Sequence, residues 1–196
     1  VDVTLTEVTG ALTLVGEGVE TIETVNLHVA DLMGAASVVK SLGATKASTL
    51  NIDGGLAGQK FVIAAPLPAT LATVDASTFV GNLVLDSTAM DYKFLMGSGN
   101  DMLIAGDAYG DNETIAGGAG SDTVYVNFTT NTDVTREATM TGVETLDAVF
   151  NASVSFEGNK VDDLATINLG TTVTVDTDPL SATGYKTGTA ASTSRA

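Results

Sequence analysis

Asp101 and Asp122 each close a glycine-rich run. Gly117-Gly118-Ala119-Gly120-Ser121-Asp122-Thr123-Val124-Tyr125 reads G-G-x-G-x-D-x-U-x, where U is a large apolar residue. Met96-Gly97-Ser98-Gly99-Asn100-Asp101-Met102-Leu103-Ile104 departs from it only at its first residue. Glycines at this spacing permit tight turns with positive φ and leave backbone carbonyls bare. The Asp adds a carboxylate to each turn, and the x-U-x that follows is a minimal strand with one inward side chain. One such unit makes half a coil. Asp101 and Asp122, with one unit between them, are therefore expected on the same edge, about one strand spacing apart. Two carboxylates that close repel by roughly 3 kcal/mol at an effective dielectric near 20. A divalent cation between them reverses the sign. Donors that are all oxygen select a hard ion, and a flexible set of carbonyls and carboxylates favours Ca²⁺ over Mg²⁺.

The intervening unit, 105–116, keeps Gly106 and Gly110 but is longer, with Glu113 in the Asp position and Ile115 in the apolar one. Glu113 is expected on the opposite edge, where Asp107, Asp111 and Glu113 could form an irregular second site. Residues 97–124 hold the acids Asp101, Asp107, Asp111, Glu113 and Asp122 and no Lys or Arg, so no basic side chain there competes as counter-ion. The competing explanation is a Gly/Asp-rich hairpin in which each Asp caps its own turn. Leu103, Ile115 and Val124, each in the apolar slot, argue instead for a repeat.

This segment resembles the calcium-binding repeat of the RTX family. The resemblance implies a parallel β-roll with Ca²⁺ between adjacent turns, export by a type I system, and folding outside the cell. Carried over by position, Gly97, Gly99 and Asp101 match one loop, and Gly118, Gly120 and Asp122 match its partner; 105–116 departs from the pattern. The flanking Gly-Val-Glu-Thr-apolar units and Thr/Ala/Asn-rich strands resemble RTX-containing surface-layer proteins of Gram-negative bacteria.

Strands must position these turns. Thr21–Leu27, Thr49–Asp53, Leu71–Asp75 and Asn82–Asp86 alternate apolar and polar residues, the period of a strand with one buried face. Their near-regular recurrence suggests the stacked coils of a solenoid, with an ordinary β-sandwich as the competing arrangement. Gly142-Val143-Glu144-Thr145-Leu146 echoes Gly18-Val19-Glu20-Thr21-Ile22, so strand-forming units flank the glycine-rich centre. A short helix is expected over 31–43: Asp31 can cap it, Leu32, Ala35, Ala36, Val39 and Leu42 fall at helical spacing, and Gly43 ends it. The expected fold is all-β, an elongated parallel β-solenoid with that one helix. It divides into β-solenoid coils over 1–95, a calcium-binding β-roll over 96–126, further coils over 127–178 and a Ser/Thr/Ala-rich linker or frayed tail over 179–196.

Composition narrows the function. The formal charge of −16 repels nucleic acid and anionic lipid. No Cys is present, so disulfides and thiolate metal sites are excluded, and the lone His28 excludes any centre or mechanism needing two imidazoles. No apolar run is long enough to span a membrane. The chain opens on Val1 with no leader in view, as expected of a processed chain or an excerpt. No metalloprotease, nucleophile-elbow, P-loop or dinucleotide motif occurs. The eight scattered basic residues do not suit a polysaccharide lyase, although a cleft holding Lys93 or Arg136 beside acids would revive that reading. His28 reads as an exposed strand residue, and Asp162-Asp163 and Asp176/Asp178 as turns. Tyr92, Phe94, Tyr109, Tyr125 and Phe128 read as core or end-capping residues before a sugar-stacking surface.

The expected function is not enzymatic. It is structural: a piece of a bacterial surface layer or extracellular assembly, ordered by Ca²⁺ and associating with copies of itself. The alternative is an RTX-type adhesin segment that binds a cell-surface glycan or lipopolysaccharide, with Tyr109 and its neighbouring acids as the hint.

Overall fold

The computed structural model describes residues 1–6, 9–13, 22–30, 36–44, 46–87, 93–106, 113–128, 135–136, 138–150, 155–156 and 161–170. The chain is an all-β parallel solenoid. Its first sheet stacks seven strands in the order β1 (Asp2–Leu5), β3 (Thr24–Val29), β5 (Thr49–Gly54), β7 (Thr73–Phe79), β9 (Lys93–Leu95), β11 (Thr114–Ala116) and β14 (Thr139–Thr141). The second stacks eight: β2 (Thr9–Thr13), β4 (Ser37–Gly43), β6 (Lys60–Ile63), β8 (Asn82–Asp86), β10 (Met102–Gly106), β12 (Thr123–Phe128), β15 (Thr145–Phe150) and β17 (Thr166–Gly170). A separate small pair joins β13 (Thr135–Arg136) to β16 (Ser155–Phe156). The chain crosses from one sheet to the other and back, so each strand lies parallel on the strand one coil earlier.

Stacking in register builds the core as columns. In the first sheet Val25, Leu50, Val74, Phe94, Ile115 and Met140 are successive partners, all buried. In the second, Val39, Ile63, Leu85, Leu103, Val124 and Leu146 do the same. The two columns face each other and belong to one continuous cluster. Each such side chain contributes about 1.5–3 kcal/mol when fully buried. The column ends on Ile167, which pairs with Leu146 but is 50% exposed.

The sheets differ on their outer faces. First-sheet strands alternate buried and open positions, and their outward residues are polar. Second-sheet strands such as Lys60–Ile63 and Asn82–Asp86 carry consecutive buried residues. Their outward residues Val38, Val62, Val84, Ile104, Tyr125 and Val149 form a second apolar cluster. A parallel sheet buried on both faces reads as continuous apolar runs, as these strands do.

The expected helix over 31–43 is not formed where it can be seen. Residues 31–35 lie outside the described set, and Ser37–Gly43 is strand β4. Val39 pairs with Gly10 and Ser41 with Ala11, so Lys40 is the extra residue of a β-bulge. A bulge inserts one residue and flips the inward-outward parity beyond it. Val39 and Leu42 therefore both enter the core three residues apart, a spacing that imitates a helix face. Among the described residues no helix is long and apolar enough to cross a membrane. The tail at 179–196 lies outside the described residues.

Candidate metal centre

The two glycine loops sit directly on top of one another. Ala119 N donates to Gly97 O at 3.0 Å, and Thr123 N to Asp101 O at 2.9 Å. A Cβ built on Gly118 would strike Gly97 O, and one on Gly120 would strike Gly99 O. Both residues also hold positive φ, 94° and 139°. A side chain at either position would thus meet backbone as well as conformational strain. The loop below is equally close, since a Cβ on Gly97 would strike Phe79 O and one on Gly99 would strike Gly81 O.

Asp101 and Asp122 end these loops in one column, each immediately before its second-sheet strand. Asp101 N donates to Asp122 Oδ1 at 2.8 Å across 21 residues. Asp101 in turn accepts from Leu83 N at 2.7 Å through Oδ1 and from Gly97 N at 3.0 Å through Oδ2. Asp122 N donates to Glu144 Oε2 at 2.7 Å. The column therefore runs Leu83, Asp101, Asp122, Glu144, each acid accepting the amide of the residue one coil before it. Asp101 is 1% exposed and Asp122 0%. Asp122 Oδ2 is buried with no hydrogen-bond partner.

Burial disfavours ionisation here. It pushes the Asp122 carboxyl up to about 7; the Asp101 amide opposes the rise, while the charges of Asp101 and Glu144 add to it. Burial also raises Asp101, against the amides of Leu83 and Gly97, which favour its charged form. No basic group is among the causes acting on either acid.

Glu113 precedes β11 in the first sheet and is buried. It therefore stands across the coil from Asp101 and Asp122, which lead into the second sheet. Asp107 and Asp111, expected to join it, lie outside the described residues, as do Tyr92, Tyr109, Asp176 and Asp178. The aromatic residues that are described separate: Phe94 enters the core between the sheets, and Tyr125 enters the outer cluster of the second sheet. His28 lies exposed on β3 and is paired with Asp53 through Nδ1. Asp162 and Asp163 are exposed at a bend, Asp163 with φ of 70°.

Glu144 is the residue that motif reading misses. Gly142-Val143-Glu144 carries no copy of the nonapeptide, but a simpler signal was available: Asp101, Asp122 and Glu144 each stand two residues before an inward apolar residue, Leu103, Val124 and Leu146.

Among the described residues no three His, Cys, Asp or Glu side chains converge on one point. A cation at these loops would draw two carboxylates from the column and the rest of its shell from backbone carbonyls and water. That donor set is oxygen throughout and suits Ca²⁺, which takes 6–8 oxygens in loose geometry. The orphaned Asp122 Oδ2, buried beside carbonyl-bearing glycine bends, fits such an ion.

No protein-family model matches the chain, and no curated protein or solved structure matches it.

Proposed function

We propose that this chain is a structural element of a bacterial surface layer or extracellular assembly, ordered by Ca²⁺ held at its stacked glycine loops. The observation that carries this reading is the buried carboxylate column, in which Asp122 Oδ2 has no partner within the protein. Asp101 and Asp122 would hold the ion, with carbonyl oxygens of the Gly97–Gly99 and Gly118–Gly120 bends completing its shell. The ion supplies the positive charge that the column lacks and ties one coil to the next.

Binding restricted to the folded state stabilises it by about 2.7 kcal/mol at a hundredfold excess of ion over Kd. A chain exported through calcium-poor cytoplasm would stay loosely folded and complete its coils outside. The surface-layer and export elements of this reading rest on the resemblance of residues 96–125 to the RTX repeat.

Calorimetric titration with Ca²⁺ tests the site. The wild type is expected to bind, and the Asp101→Ala/Asp122→Ala double variant to lose that binding. Unchanged heats in the double variant would refute the assignment. Electron microscopy in Ca²⁺ tests the assembly: sheets or filaments support it, and persistent monomers favour an adhesin.

A further inference from the structure

The glycine motifs account for two loops, but the carboxylate column does not stop with them. Glu144 occupies the next position, and its Oε2 already accepts the Asp122 amide at 2.7 Å. The bend before it stacks as tightly as the motif loops do. Gly117 N donates to Thr141 O at 2.9 Å, and a Cβ on Gly117 would strike Gly142 O. The same Cβ would stand 2.7 Å from Asp122 Oδ2. The unpartnered oxygen of Asp122 and the carbonyl oxygen of Gly142 therefore crowd one point, the bare face of Gly117. Asp122 is fully buried, so no water-facing outlet relieves that oxygen.

Asp101 differs. Both its oxygens accept backbone amides, from Leu83 and Gly97. The carboxylate oxygen without any partner thus lies on the side of Asp122 that faces the 142–144 bend.

We propose a second hard-cation site one coil beyond the motif pair, between the 117–122 loop and the Gly142–Glu144 bend, with Asp122 Oδ2, the Gly142 carbonyl and the Glu144 carboxylate as its protein ligands. It rests on the reading that the column binds Ca²⁺, and it adds a ligand that the nonapeptide does not contain. Asp122 then serves two ions, one on each side: Oδ2 is the ligand here, and Oδ1, which accepts the Asp101 amide at 2.8 Å through one lone pair, turns the other to the motif site. The Gly-Val-Glu bend becomes the end of the cation row rather than a plain lead into β15. The ligand class is a divalent cation that accepts neutral carbonyls as well as carboxylates, which favours Ca²⁺ over the more demanding Mg²⁺.

The test is calorimetric titration of the whole chain with Ca²⁺ alone, counting ions per chain, on the wild type, Glu144→Gln and Asp101→Asn. Glutamine retains an oxygen to accept the Asp122 amide, and circular dichroism in Ca²⁺ confirms that each variant is folded. The expected result is that Glu144→Gln binds one ion fewer than the wild type, or binds its last ion at least tenfold more weakly, whereas Asp101→Asn keeps the ion that Glu144→Gln loses. Wild-type stoichiometry and affinity in Glu144→Gln, with loss in Asp101→Asn, would overturn the second site and leave the motif site standing. Absence of any binding by the wild type would overturn both. Should Glu144→Gln not fold, Glu144→Asp replaces it: shortening the side chain by one carbon is expected to weaken that same ion, and an unchanged isotherm would count against the site.

Discussion

The early coils and the glycine-rich coils solve the same stacking problem from opposite sides of the backbone. In the early coils polar side chains face out. Asn26 Nδ2 donates to Asp2 Oδ1 at 2.5 Å, and Asn51 Nδ2 to Asn26 Oδ1 at 2.7 Å, along the surface of the first sheet. Partners there stand 24 and 25 residues apart, which leaves room for corners such as the Ala44–Ala47 turn. In the glycine-rich coils an outer ladder persists, with Asn100 N donating to Asn82 Oδ1 and Ser121 N to Asn100 Oδ1, but Asp101 and Asp122 face in. Leu83 and Asp101 are 18 residues apart, Asp101 and Asp122 21, and the corner is reduced to glycine on glycine. A corner that tight has no space for an outward loop, and the amides of Leu83, Gly97, Asp101 and Asp122 are met by carboxylates turned inside. The short coil and the buried charge are one feature: shortening the corner is what brings the acid under the fold's own backbone.

That contrast can be broken at several points. The largest effect is expected at the glycine contacts. Gly117→Ala drives a methyl group into Gly142 O and should cost about 3 kcal/mol or more. Gly10→Ala in β2 meets nothing within 4 Å and should stay within about 0.5 kcal/mol of the wild type. Urea denaturation of the two variants measures the difference; similar midpoints would mean that the stacked corners tolerate a side chain after all.

Asp122→Asn is expected to change sign with the ion. In chelator at pH 8 it removes a buried charge while keeping an oxygen for the Asp101 amide, and should raise stability by about 1 kcal/mol. In Ca²⁺ it should forfeit the ligand-linked gain of about 2.7 kcal/mol at a hundredfold excess. Thermal melts of both proteins in both buffers give the four values needed, and a uniform shift in either direction would mean that Asp122 answers to no cation.

The pH dependence follows from the same carboxyl. Its pKa is raised in the folded state to about 7, above the ordinary value of 3.8, so the folded chain holds the proton more tightly than the unfolded chain. The resulting stability is fully present below about pH 4 and is lost as pH rises through about 7. In chelator the melting temperature should therefore fall between pH 5 and pH 8 on account of this group. Ca²⁺, which needs the carboxylate, should bind more weakly as pH drops through that range and release protons when it does bind. A chelated protein whose melting temperature climbs from pH 5 to pH 8 would contradict the buried placement of Asp122.

The smallest effect belongs to the outer ladder. Asn51→Ala should cost about 0.5–1 kcal/mol, equally with and without Ca²⁺. A calcium-dependent loss at Asn51 would mean that the two kinds of coil are coupled.

Much of the fold was readable because its columns repeat one local rule. Asn82–Asp86 is β8 to the residue, and Thr49–Asp53 lies within β5. Leu103, Ile115 and Val124 enter the core as the nonapeptide spacing requires. What was not readable involves parity. At Lys40 a single bulged residue turned a strand into the likeness of a helix face. At β7, Asp53 pairs with Thr78 although Asn51 pairs with Asp75, and Asp75 Oδ1 holds that irregularity by accepting Ser77 N at 3.0 Å and Ser77 Oγ at 2.6 Å. Such features depend on the neighbouring coil, which a local pattern does not contain. Glu144 escaped for a different reason. Its chemistry comes from vertical position in the stack, and its own bend lacks the glycine spelling that marks the two coils before it.

The parallel pairing of the second sheet, in register apart from the shifts at Lys40 and between Ile104 and Gly106, also bears on how such a chain can change over generations. Every rung offers the same donors and acceptors upward and downward, so duplicating or losing one complete rung leaves the remaining neighbours matched. A one-residue insertion must be absorbed where it occurs, as at Lys40. Growth and shrinkage by whole repeats would then be the permissive route for the gene, with the number of coils as the trait that varies.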